Sequence, residues 1–139
     1  YNMMLISKEN LRFVQLENSE VKHLVINPNY IEKIEDTFDL IFLRLTWLYS
    51  FNDKEFAKKL IKKTKPGGFI YILTNNIDFK KNELSFFAKL KIHLYSNFNL
   101  KIGHPHPPVG KLKNLFKDFN LVHYKLNDSS EELLIQNTQ

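Results

Sequence analysis

No cysteine occurs among the 139 residues, which excludes disulfides, thiolate metal sites and a cysteine nucleophile. Glycine is almost as scarce. Gly67, Gly68, Gly103 and Gly110 are the whole supply, and none forms the G-x-G after a strand that cradles a nucleotide. Of the 20 basic residues only Arg12 and Arg44 are arginines. The net charge of +5 is therefore mostly lysine, a generic solvating cation without the forked donors that read phosphates and guanines. Nucleic acid is not an expected partner. No apolar run approaches the roughly 20 residues that span a bilayer, and no signal-peptide pattern opens the chain. The expected location is cytoplasmic, with no membrane partner. The first residue is Tyr1 rather than methionine, so the sequence is expected to begin inside something longer or to have been processed.

What is present is ordinary globular material: 43% apolar and 25% charged residues, enough for one domain over residues 1–139 with a real core. "NLRFVQL" (Asn10–Leu16) alternates as a short strand does, and Glu17-Asn18-Ser19 marks its end. His23–Ile26 is a second short strand or the start of a connection, and Tyr30–Glu35 a helical turn or two. "FDLIFL" (Phe38–Leu43) and "FIYIL" (Phe69–Leu73) are near-continuous apolar runs, the pattern of strands covered on both faces. Between them lies a helix. Asn52 with Glu55 has capping-box spacing, although Asp53 could be the cap. Phe56, Ala57, Leu60 and Ile61 share one face, opposite Lys58, Lys59, Lys62 and Lys63. "KPGG" (Lys65–Gly68) then breaks the helix and reverses the chain into the next strand.

Downstream, residues 80–98 read as a long helix carrying Leu84, Phe87, Ala88, Leu94, Tyr95 and Phe98. "GHPHPPVG" (Gly103–Gly110) is a rigid loop, and Lys111–Lys117 a short helix. Asn120–Leu126 and Glu132–Gln136 are two strands of a hairpin. The order of elements indicates an α/β domain: a Rossmann-like, mainly parallel sheet with helices on both faces and an antiparallel C-terminal hairpin, incomplete at its N-terminus. Phe38–Leu43 and Phe69–Leu73 should be neighbouring parallel strands.

"EDTFDLIFLRLTWLYSF", then a helix, then "LIKKTKPGGFIYILTNN" resembles the second half of a class I S-adenosylmethionine-dependent methyltransferase. "ENLRFVQLEN" resembles that family's third strand with the turn after it, and "GKLKNLFKDFNLVHYKL…EELLIQNT" its closing helix and last two strands. The resemblance implies S-adenosylmethionine as cofactor and a methyl acceptor, with a small molecule preferred because no arginine-rich groove appears. Its glycine-rich cofactor loop is absent from this sequence, so binding of the cofactor by this chain alone should be weak or absent. A sheet that starts at the third strand would also leave the inner edge of the fourth unpaired. A missing N-terminal segment or a partner chain is expected to complete it; a rearranged Leu11–Leu16 is the alternative. The rival function is a non-catalytic, methyltransferase-like structural or interaction subunit.

Ligands of open parallel sheets gather beyond the carboxyl ends of the strands. By resemblance, Glu17 and Asn18 face the adenine, unless they form only an exposed turn. Arg44 and Leu45 stand beside the cofactor, and Trp47 and Tyr49 beside the substrate. Arg44 amid apolar residues needs a partner, which a salt bridge or a ligand would supply equally; Trp47 is core or pocket wall. Asn75 and Asn76 bond a substrate or cap the next helix. His104 and His106 flank Pro105 as gating or substrate contacts, and lack the third ligand a metal would need. No nucleophile–base pair is visible, so catalytic residues stay unassigned and methyl transfer would rest on positioning.

Overall fold

The computed structural model describes residues 27–76 and 84–139 in full and residues 3–6 and 21–22 as backbone. Two short strands, β1 (Met3–Ile6) and β2 (Val21–Lys22), precede β3 (Phe38–Arg44), β4 (Thr64–Asn75), β5 (Asn120–Leu126) and β6 (Ser130–Gln136). All six belong to one sheet, in the order β2-β1-β3-β4-β6-β5. The first four run parallel. β6 is antiparallel to β4, and β5 to β6. Helices α1 (Asp53–Lys63), α2 (Phe86–Phe98) and α3 (Lys111–Leu115) lie in the connections. No helix among the described residues is long and apolar enough to cross a membrane. The α/β class, the parallel β3–β4 pair and the closing hairpin are those the sequence predicts.

The core forms where the strand and helix periods meet. Ile41 and Leu43 of β3, Ile70 and Ile72 of β4, and Leu133 and Ile135 of β6 project to one face, and each is 0% exposed. Phe56, Leu60 and Ile61 of α1, Leu112 of α3 and Phe116 just after it pack on this face. Each such side chain contributes roughly 1.5–3 kcal/mol when fully buried. The other face carries Leu40, Phe42, Phe69, Tyr71, Leu73 and Leu134, which are half-buried. Phe42 and Tyr71 stack there with centroids 4.7 Å apart. The unbroken apolar runs thus meet full cover on one side and partial cover on the other.

Asn52 is the cap of α1: its side chain accepts from the N–H groups of Lys54 and Glu55 at 3.0 and 3.2 Å. At the other end the helix passes straight into β4. Phe38 lies opposite Thr64 and Leu40 opposite Phe69, so the Pro-Gly-Gly segment bulges out of the ladder. Gly67 adopts φ 77°. A Cβ on Gly68 would stand 2.9 Å from both Asp39 O and Lys65 O. Asn137 closes the bulge, accepting from Gly67 N at 2.7 Å and donating its own N–H to Gly68 O at 2.9 Å. Its side-chain amide also donates to Thr64 O at 2.8 Å.

Two expectations need correction. The inner edge of β3 is not left to a missing segment or a partner chain: Met3–Ile6 pairs along Leu40–Leu43. Four apolar residues are too short a run to declare themselves a strand. Leu11–Leu16, His23–Ile26, Glu17 and Asn18 lie outside the described residues. The long helix is described from Phe86, capped by Ser85, and its buried stripe is Ile92 and Tyr95, whereas Phe87 and Phe98 are 73% and 70% exposed. Tyr95 is drawn inward by a polar anchor, and that sets the helix phase.

Candidate functional site

The carboxyl ends of β3 and β4 meet the start of β6 at one end of the sheet. β3 ends in Arg44, which is exposed yet engaged by neighbours. Leu45 follows with φ 55°, an uncommon conformation for a bulky residue. Its N–H donates to Leu73 O at 2.8 Å, which pins the turn to the end of β4. Thr46 and Trp47 then turn under the sheet end and are buried. Trp47, expected at the substrate, is 0% exposed. It packs on Phe56 and Phe116 and donates Nε1 to Asp53 at 3.1 Å. It supports the site from below and does not face it.

Asp53 anchors a buried polar hub. Its carboxylate accepts from Trp47, from Ser50 Oγ at 3.1 Å, from the Tyr95 hydroxyl and from Lys101 Nζ at 3.2 Å. The Lys101–Asp53 ion pair is almost wholly enclosed. Burial pushes Lys101 below the ordinary lysine range, with the Asp53 charge opposing that shift, and burial lowers Lys111 likewise. Burial, then the Asp53 charge, pushes the Tyr95 phenol above its usual range. A cleft of about 250 Å³ opens beside the hub, with Lys54, Asn97, Asn99, Lys111 and Asn114 in its walls.

Across the same end runs the loop from Gly103 to Gly110. The His104 ring meets Tyr49 edge-on at 4.9 Å. At the far end Gly110 N donates to Glu131 Oε1 at 2.8 Å, and the Tyr124 hydroxyl donates to the same oxygen at 2.6 Å. Glu131 is 0% exposed. It lies opposite Thr74, and Ser130 lies opposite Asn75; Asn76 N donates to Ser129 O at 3.0 Å. Burial and then the Glu131 bond raise the Tyr124 phenol to about 12. Arg44, Leu45, Tyr49, Asn75, Asn76, His104 and His106 therefore belong to one end of the molecule. Glu131 was missed by sequence reasoning. The available signal was parity: 131, 133 and 135 alternate inward together, whereas Glu132 points out to Tyr71 at 2.5 Å.

The residues present fit S-adenosylmethionine only in part. The Arg44–Thr46 turn lies just beyond the carboxyl end of β3, where ligands of open parallel sheets gather. However, residues 7–20, which follow β1, contain no glycine. Gly67 and Gly68 lie at the opposite end of β4, and Gly103 and Gly110 bound the loop. None of the four offers a backbone cradle for the amino acid end of the cofactor.

No family model matches the chain, and no curated protein sequence matches it. Solved structures do. An O-methyltransferase family protein from Burkholderia thailandensis aligns with TM-score 0.57 at 19% identity, over 86% of this chain and 36% of its own. BH2331 of Bacillus halodurans C-125, a candidate methyltransferase, aligns with TM-score 0.62 at 9% identity, over 99% and 83%. PigF, in a structure with SAH, aligns with TM-score 0.52 at 10% identity, over 84% and 35%. The chain thus spans little more than a third of the Burkholderia protein and of PigF. It has the class I S-adenosylmethionine-dependent methyltransferase fold.

Proposed function

We propose that this chain forms the acceptor-side part of an S-adenosylmethionine-dependent methyltransferase that acts on a small molecule in the cytoplasm. One observation carries the reading. The turn after β3 holds Leu45 in a left-handed conformation, pinned to Leu73, at the sheet end where this fold gathers its ligands. Backbone strain of this kind costs about 1–3 kcal/mol and persists where the surrounding structure enforces it for a purpose. The SAH-bound neighbour supports the cofactor class, and the scarcity of arginine supports a small acceptor.

The chain's own residues would position the acceptor, with the loop over the site excluding water. The incomplete cradle makes weak cofactor affinity the expected outcome. An NMR titration of the full chain with S-adenosylhomocysteine up to millimolar concentration tests this. Saturating shifts at residues 44–49 and 74–76, with affinity weaker than micromolar, are expected. An absence of shifts would overturn the cofactor assignment in favour of an interaction subunit. Micromolar affinity would show that the remaining turns suffice without the glycine loop.

A further inference from the structure

Among the described residues, five buried side-chain atoms lack a hydrogen-bond partner: both amide atoms of Asn76, Nδ1 of His106, Oε2 of Glu131 and Oδ1 of Asn99. All but the last belong to Asn76 and Glu131, where the end of β4 meets the start of β6, and to His106 in the loop that Glu131 holds through Gly110. Thr74 and Asn76 share the strand parity of Ile72, and Glu131 that of Leu133, so they face the same side of the sheet at its carboxyl end. His106 lies in the loop that Glu131 anchors through Gly110 N.

Glu131 spends one oxygen on two donors and leaves the other unbonded. No lysine or arginine forms an ion pair with it among the described residues. A buried carboxylate oxygen in this state is costly and calls for a cation or a strong donor.

We infer that Glu131, Asn76 and His106 form a subsite for a primary ammonium group carried by a small molecule. An alkylammonium offers three N–H donors and one positive charge. The corner offers three acceptors, Glu131 Oε2, Asn76 Oδ1 and His106 Nδ1, and one negative charge. An alcohol would satisfy only one acceptor and leave the charge unpaired; a carboxylate or phosphate would be repelled. Gly103 and Gly110 sit at φ 75° and 79° at the two ends of the loop, and between them Pro105, Pro107 and Pro108 stiffen the run that carries His106. That the ammonium compound is also the methyl acceptor rests on the function proposed above; the binding itself does not.

Saturation-transfer NMR on the full chain, without cofactor, tests the subsite. The probe is n-butylamine at pH 7, present as butylammonium, with n-butanol as its neutral counterpart. Butylammonium should receive saturation and butanol should not. Glu131→Gln should weaken butylammonium binding by about tenfold or more. Asn76→Ala should weaken it several-fold while leaving the melting temperature unchanged or raised, because an unsatisfied buried amide is removed. Equal binding of butanol, or unchanged binding by Glu131→Gln, would overturn the proposal. So would an Asn76→Ala variant that melts earlier with binding intact, which would mark a structural role. If Glu131→Gln does not fold, Asn76→Ala decides alone. Failure of the methyltransferase reading would appear separately, as absent S-adenosylhomocysteine shifts beside intact butylammonium binding.

Discussion

Four donors converge on Asp53, and one of them is the charged end of Lys101. Because both members of the pair are sealed from water, their attraction is unscreened and their desolvation has already been met. Removing one partner is then far worse than removing both. Lys101→Met should cost about 3–5 kcal/mol by leaving a buried charge uncompensated. The double variant Asp53→Asn with Lys101→Met should cost less than the sum of the two single changes. Urea unfolding of the three variants checks this, and simple additivity would mean the pair is not coupled. None of this was legible in the sequence. Asp53 presented itself as an alternative cap beside Asn52, and Lys101 lies 48 residues away along the chain, a separation that no local pattern spans. Glu131 was obscure for a related reason, because its neighbour Glu132 has the same chemistry and the opposite orientation.

Elements were far more legible than residues, because each carries its own periodicity. α1 and its Asn52 cap, the two central strands and the terminal hairpin follow from apolar spacing and turn chemistry. β1 did not, since Met3–Ile6 is too short for a period to show. For α2 the expected stripe rightly held Tyr95 but also took in Phe87 and Phe98, which are exposed, because the helix is held inward at one point, by the Tyr95 hydroxyl on Asp53. The Pro-Gly-Gly bulge shows how an element boundary can depend on volume alone. Gly68→Ala would set a methyl group 2.9 Å from two backbone oxygens and should destabilise the domain by about 1–3 kcal/mol. Gly67→Ala meets open space but must hold φ 77°, costing about 1–2 kcal/mol. Thermal melts of the two should therefore separate steric from conformational cost: a side-chain truncation at Thr64, whose Cγ2 also crowds Gly68, should relieve neither backbone clash.

For the whole molecule, the titration of its phenols sets an alkaline limit. Burial and then carboxylate bonding raise Tyr71 and Tyr124 to about 12 from an ordinary 10.0. A raised folded value means their stabilisation is complete below pH 10 and is lost as pH climbs through 12. Tyr95 acts in the same direction. Lys101 and Lys111 are depressed from 10.5, so their effect is opposite, and it is exhausted once pH passes 10.5. The melting temperature should fall steeply above that point. The double variant Tyr71→Phe, Tyr124→Phe should fall less steeply in circular-dichroism melts, and an identical slope would refute the assignment. A last consequence follows from the sheet order. Among the described strands, β5 touches the sheet only through β6, which lies between it and β4. Until β6 folds into place, β5 has no strand to pair with among the described residues and the outer edge of β4 stands bare. Folding intermediates in which β6 has not yet docked are therefore the ones most open to capture through that edge.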